Sequence, residues 1–318
     1  MTPIHVIRNE FGDPLSKARS GGSESSADRI VFGFMTDFAP NMVAPTVAST
    51  EAPPSVHSGP EVELLRHNQD VDWKTFDPAA YWASNYQMLR NDDQSIVELV
   101  GEFFSRHFRN APQLHLLRGL DVGSAGNLYP ALAMLPWSET ITLTDVTPAN
   151  IAWLSQAAGP GANDEHGRWV WQPFWSEYAR YVGYQQLPDP RAELAARHRV
   201  RPVNLFDLGG ERWDLGTMFF VAESMTSYQD EFAAAVEAFT RALLPGAPFA
   251  MAFMDRSIGY TIAGRPFPAV RAVDAEMVRT VLSDLSADAV VTRLDVVAHD
   301  PAKDGYEGMI VATGTTRG

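Results

Sequence analysis

The chain is 318 residues long and 45% hydrophobic, with a formal net charge of -14 and no cysteine. Disulfides, thiolate metal sites and a cysteine nucleophile are therefore excluded, and a surface of this sign repels phosphate backbones, which argues against nucleic-acid binding. The eight His residues are scattered without metal-ligand spacing, no apolar run reaches membrane-spanning length, and the first residues lack the basic-then-apolar order of a signal peptide. The expectation is a soluble cytoplasmic protein with no metal and no membrane partner.

Residues 1–72 differ in composition from the rest, with SGGSESSAD and APTVASTEAPPSVHSGPEVE rich in Ser, Pro, Gly and Ala. They read either as a flexible tail or as a lid or dimer arm. The body is expected over residues 73–318. Asp77-Pro78 opens a helix, Asp77 as cap and Pro78 in the first turn. A second helix is predicted from about Asp92 to His107, with Ile96, Leu99, Val100, Phe103 and Phe104 on one face. Then come a strand at 116–122, a helix at 127–135, a strand at 140–145 and a helix from Pro148 to about Ala157.

Residues 159–200 read as an aromatic-rich insertion. Trp169, Trp171, Phe174, Trp175, Tyr178, Tyr181 and Tyr184 fall within sixteen residues. They suit either a helix packed on the sheet or a cap over a substrate pocket. Val203 to Leu205 is predicted as a short strand ending at Asp207, and Leu215 to Val221 as another ending in Ala222-Glu223-Ser224. A helix over 229–243 leads to a strand at 249–254 that ends at Asp255. A helix at 273–287 and strands at 289–297 and 308–313 complete the chain, the last two joined as a hairpin by HDPAKDGYEG. Strands alternating with helices predict an α/β, Rossmann-like fold. It has a mostly parallel seven-stranded sheet, helices on both faces and an antiparallel C-terminal hairpin at its edge.

The most informative stretch is Leu116 to Asp145, an apolar run, a glycine turn, a helix and a second strand tipped by a carboxylate. The turn is Asp121-Val-Gly123-Ser124-Ala-Gly126. It lacks the G-x-G-x-x-G of dinucleotide enzymes and fits the D-x-G-x-x-G turn that admits S-adenosylmethionine (SAM). Asp145 lies 22 residues after Gly123, at the tip of the next strand, where an acid accepts hydrogen bonds from both ribose hydroxyls. Asp121, Asp145, Asp207 and Asp255 all fall at predicted strand ends, the edge where open α/β sheets bind ligands.

FDPAAYWASNY, LDVGSAGNLYPAL and ITLTDVTPANIAWL together resemble the class I SAM-dependent methyltransferases of the nicotinamide, phenylethanolamine and thioether methyltransferase family, over about Phe76 to Thr313. The resemblance implies that Tyr81 and Tyr86 contact SAM, that Gly123, Ser124 and Tyr129 line its methionine end, and that Asp145, Thr147 and Asn150 hold its ribose. It places Asp207 and Leu208 beside the adenine and Ala222 and Glu223 at the floor of the site. Asp255 and Tyr260 are placed near the acceptor amine, with Asp255 or Glu223 taking its proton. The chain departs from the family turn at Ala125, Asn127 and Leu128. The implied activity is N-methylation of a small-molecule amine, in the setting of bacterial secondary metabolism. Two alternatives use the same site: cyclisation of SAM to azetidine-2-carboxylate with release of methylthioadenosine, and a non-catalytic SAM-binding module.

Overall fold

A computed structural model describes residues 65–110, 116–164, 166–295 and 305–317. Most of the segment read as a tail or arm, and most of the last hairpin's loop, lie outside the described residues. None of the helices among the described residues is long and apolar enough to cross a membrane.

Seven strands form one sheet in the order β3-β2-β1-β4-β5-β9-β8. They are β1 (Leu117–Val122), β2 (Ser138–Asp145), β3 (His198–Pro202), β4 (Leu215–Phe219), β5 (Pro248–Asp255), β8 (Val290–Asp295) and β9 (Gly308–Thr315). The first five pair parallel, and β9 runs antiparallel to both β5 and β8. A separate two-stranded ribbon joins β6 (Tyr260–Ile262) to β7 (Arg265–Phe267). This is the expected Rossmann-like sheet with its antiparallel C-terminal hairpin. Strand order reverses between β1 and β4, which opens a crevice at the carboxyl ends of those strands.

Burial explains which segments became strands. Every residue of β4 is buried, as a central parallel strand covered on both faces requires. Alternate residues of β5 enter opposite clusters: Ala250 and Ala252 face one, Phe249, Met251 and Phe253 the other. The edge strand β3, HRVRP, has no fully buried residue. Its polar pattern hides it, and the predicted strand at Val203–Leu205 lies just past its end. There Leu205–Asp207 forms a 3-10 turn, capped by Asn204.

The helices are α1 (Pro78–Asn85), α2 (Asn91–His107), α3 (Tyr129–Met134), α4 (Pro148–Ala157), α5 (Gln172–Tyr178), α6 (Pro190–Arg197), α7 (Gln229–Arg241) and α8 (Ala275–Leu282). Asp77 caps α1 by accepting from the Ala79 and Ala80 amides. On α2, Ile96, Val97, Val100 and Phe104 are wholly buried, each worth about 1.5–3 kcal/mol of apolar burial. The aromatic segment takes its place in the same cluster. Trp171, Phe174, Trp175, Tyr178 and Tyr184 are buried, Phe174 stacks on Tyr129 at 4.9 Å, and the Tyr184 hydroxyl donates to the Ala133 carbonyl.

Candidate active site

The turn after β1 is shaped by what presses on it. Gly123 and Gly126 have φ of 65° and 82°, a region that L side chains avoid. A Cβ on Gly123 would lie 2.5 Å from Val221 Cγ2, and one on Gly126 would lie 2.5 Å from Tyr81 Cδ1. The turn is thus clamped between the segment after β4 and helix α1. Asp121 supports it from beneath. Its carbonyl accepts from the Ser124 and Thr144 hydroxyls, and its Oδ1 accepts from Thr217 at 2.7 Å. Burial pushes the Asp121 carboxyl up to about 7.

Asp145, at the tip of β2, faces the turn. Its Oδ2 accepts from the Ala125 amide at 3.3 Å, and its Oδ1 accepts from the Val146 amide and from Asn150 Nδ2, both at 2.7 Å. Thr147 caps α4 by accepting from the Asn150 amide, which fixes Asn150 behind the acid. Burial raises the Asp145 carboxyl above the usual carboxylate range, and the donated hydrogen bonds oppose that rise.

These residues border a cavity of about 640 Å³. Gly123, Ala125, Asn127, Asp145 and Asn150 form one side, and Val203 to Phe206 continue it beyond β3. Phe219, Phe220, Val221, Ser224 and Met225, at and after the end of β4, form a second side. Phe220 holds φ 59°, a strained setting for a bulky residue, and its amide is pinned to the Ala252 carbonyl at 2.8 Å. Trp73, Phe76, Tyr81 and Tyr260 make an aromatic wall. Asn127 Nδ2 and Asn150 Oδ1 are buried without a hydrogen-bond partner among the described residues, one donor and one acceptor on residues that line the space.

A family model described as the NNMT/PNMT/TEMT family matches residues 66–313. The chain belongs to that family. It is a SAM-dependent methyltransferase. No match among curated proteins reaches significance. Among solved structures it is similar to the N-methyltransferase NodS from Bradyrhizobium japonicum WM9 in complex with S-adenosyl-L-homocysteine (13% identity, 74% of this chain and 98% of that one, TM-score 0.40). It is also similar to CalS10, an amino pentose methyltransferase from Micromonospora echinaspora (14%, 69% and 92%, TM-score 0.36). A third is the 1,6-didemethyltoxoflavin-N1-methyltransferase of Burkholderia thailandensis (14%, 76% and 88%, TM-score 0.39).

Of the expected site residues of this methyltransferase, Tyr81, Gly123, Asp145, Asn150 and Tyr260 line the cavity. Asp121, Ser124, Gly126 and Thr147 hold that surface from behind. Tyr86 and Tyr129 are buried further back: the Tyr86 and Tyr81 hydroxyls lie 3.4 Å apart, and Tyr129 donates to Asp93 at 3.2 Å. Four expectations are placed elsewhere. Asp207 is exposed on the 3-10 turn, and Leu208 is buried in the core beyond it. Ala222 is also a core residue. Asp255 is buried and ion-paired through Oδ2 with Arg293 Nε at 2.5 Å, so it faces β8 and not the cavity. None of the described residues of the 159–200 segment lines the cavity.

Glu223 is a different case. It is fully buried beside the site, accepts from the Met254 amide through Oε1, and leaves Oε2 without a partner among the described residues. Burial pushes its carboxyl up to about 8. A neutral acid at working pH is poorly suited to take a proton from an amine. The folded state keeps this proton to about pH 8, whereas an unfolded chain releases it near the ordinary value of 4.5. Stability is therefore expected to fall as pH rises from about 4.5 to about 8. Glu223→Gln, which copies the protonated shape, is expected to flatten that fall when thermal midpoints are measured across this range. An unchanged slope would show that the proton is held elsewhere.

Residues 66–76 span the end of the segment that reads as a tail, lid or arm and the start of the body, and their composition does not single them out as cavity-lining. Asn68, Val71, Trp73 and Phe76 line the cavity as a strap fixed to α7. The Glu231 carboxylate accepts from the Asn68 amide and from His67 Nδ1, both at 2.9 Å, and the His67 ring stacks on Tyr228 at 3.7 Å. Glu231→Ala removes both acceptors, each worth about 0.5–1.5 kcal/mol. The expected result is faster hydrogen exchange confined to residues 66–70, with global stability nearly unchanged. Loss of protection across the whole domain would contradict a local latch.

Proposed function

We propose that this methyltransferase moves the methyl group of SAM to the nitrogen of a small-molecule amine. One observation carries the reading: a single cavity runs from the Asp145 carboxylate to the aromatic wall of Tyr81, Tyr260, Trp73 and Phe76. The residues on its first side fit the donor. Asp145 offers lone pairs to sugar hydroxyls, the left-handed glycine turn gives close backbone approach, and the unpartnered Asn127 amide suits a carboxylate. When bound, SAM supplies an electrophilic methyl group on a sulfonium.

The chain's own task is then alignment and exclusion of water. Burial pushes the Tyr81 phenol up to about 12 and the Tyr260 phenol well above its usual range, so both remain neutral. The Tyr260 hydroxyl donates to the Ser224 carbonyl at 3.3 Å and its ring stacks on Phe267, which sets its place in the wall. Neutral rings stabilise a developing ammonium by about 0.5–2 kcal/mol each. No buried base is required, because the proton leaves the product ammonium after transfer.

The test is incubation with SAM and a panel of amines. S-adenosylhomocysteine formed only when an acceptor is present is the expected outcome. Methylthioadenosine formed from SAM alone would replace this reading with cyclisation, and tight SAM binding with no turnover would leave a binding module.

A further inference from the structure

We infer that the purine end of the cavity is read by a hydrogen-bond donor, Asn204, so that this enzyme accepts a 6-oxo purine sulfonium nucleoside about as well as the 6-amino one. The inference rests on the placing of SAM proposed above, with its sugar at Asp145. Beyond Asp145 the cavity is bounded by Val146 and by Val203 to Phe206, which follow the neighbouring strand β3. The apolar Val146 and Phe206 side chains are half exposed there, as faces for a flat base. Asp207 is outside the lining, and Glu231 of α7, the carboxylate that borders the cavity from the facing helix, already accepts from the Asn68 amide and from His67 Nδ1.

Asn204 is the polar side chain in that stretch, and its orientation is fixed by chemistry. The Phe206 amide must be given an acceptor, and Asn204 Oδ1 lies 3.0 Å from it. The carbonyl oxygen of the side chain is thereby committed to the turn, while the Asn204 backbone carbonyl accepts from the Asp207 amide at 2.9 Å. The Nδ2 amino group donates to none of the described residues. What remains for a ligand is a donor. A 6-amino purine presents its own donor at C6, beside an acceptor at N1. A 6-oxo purine presents an acceptor at C6. A carboxylate at this place would favour the first, whereas an amide NH2 meets the second directly and the first only through a ring nitrogen. A donor set against a donor loses about tenfold in affinity.

The experiment titrates S-adenosylhomocysteine and S-inosylhomocysteine calorimetrically into the wild-type chain and into Asn204→Asp. Aspartate caps a turn as well as asparagine, so the variant keeps the local fold. The expected result is that the wild type binds the two within about tenfold of each other, and that the variant shifts the ratio toward the adenosyl compound by about tenfold or more. A wild-type preference for the adenosyl compound beyond tenfold, or an unchanged ratio in Asn204→Asp, overturns the inference while leaving SAM binding intact. Failure to bind either compound would instead remove the placing of SAM on which it rests.

Discussion

Alanine at position 145 is expected to weaken SAM binding by about a hundredfold or more. The carboxylate would accept from two sugar hydroxyls, and hydrogen bonds to a charged partner contribute about 1.5–3 kcal/mol each. The same substitution strips an acceptor from the Ala125 and Val146 amides and from Asn150 Nδ2, so the turn loses its anchor as well. Calorimetry with SAM reads the first effect, and thermal unfolding separates it from loss of the fold. Asp145→Asn keeps one oxygen but sets a donor toward the Ala125 amide or toward Val146, and an intermediate affinity is expected. Unchanged affinity in the alanine variant would remove Asp145 from the donor site.

Gly123→Ala should be nearly as damaging, for a steric reason. The new methyl group meets Val221 Cγ2 at 2.5 Å, and φ of 65° is unfavourable for any L side chain. Val221 yields little, because it is β-branched and follows the strained, pinned Phe220. Both partners line the cavity, so the conflict deforms the donor side directly. A loss of roughly ten- to hundredfold in SAM affinity corresponds to the 1–3 kcal/mol that such overpacking costs. Val221→Ala removes the obstructing methyls. The double variant should recover the steric part and leave only the backbone part, a coupling that a double-mutant cycle measures. Purely additive losses would show that the clash is not the cause.

The parts legible in the sequence were those fixed by local rules. Asp77-Pro78 announces the start of α1 through capping, and the α2 stripe through its period. The paired glycines and Asp145 announce the donor site because tight turns and strand tips have strict requirements. What escaped was set by contacts distant along the chain. A strand end fixes where Asp255 sits, but the pleat decides which way its side chain leaves, and that way leads to Arg293. Asp207 stands out in the sequence as an acid after a short apolar run, whereas β3 is a polar edge that does not look like a strand, and the 3-10 turn that exposes Asp207 leaves no local signal. The strap at 66–76 is held by Glu231, 163 positions from Asn68, and nothing in its own composition foretells that. In the sequence the seven clustered rings suit either packing or a cap. Phe174 lies flat on Tyr129, and that geometry becomes visible only once α3 and α5 meet.

The acids sealed inside this fold also change what the molecule does to its solvent. A formal charge of -14 counts every carboxyl as ionised. Yet burial holds Glu223 at about 8 and Asp93 and Asp121 at about 7. Denaturation at neutrality should therefore discharge about two protons into the medium. The heat recorded by scanning calorimetry would then follow the ionisation enthalpy of whichever buffer receives them, and the native protein should migrate as a less acidic species than its composition implies.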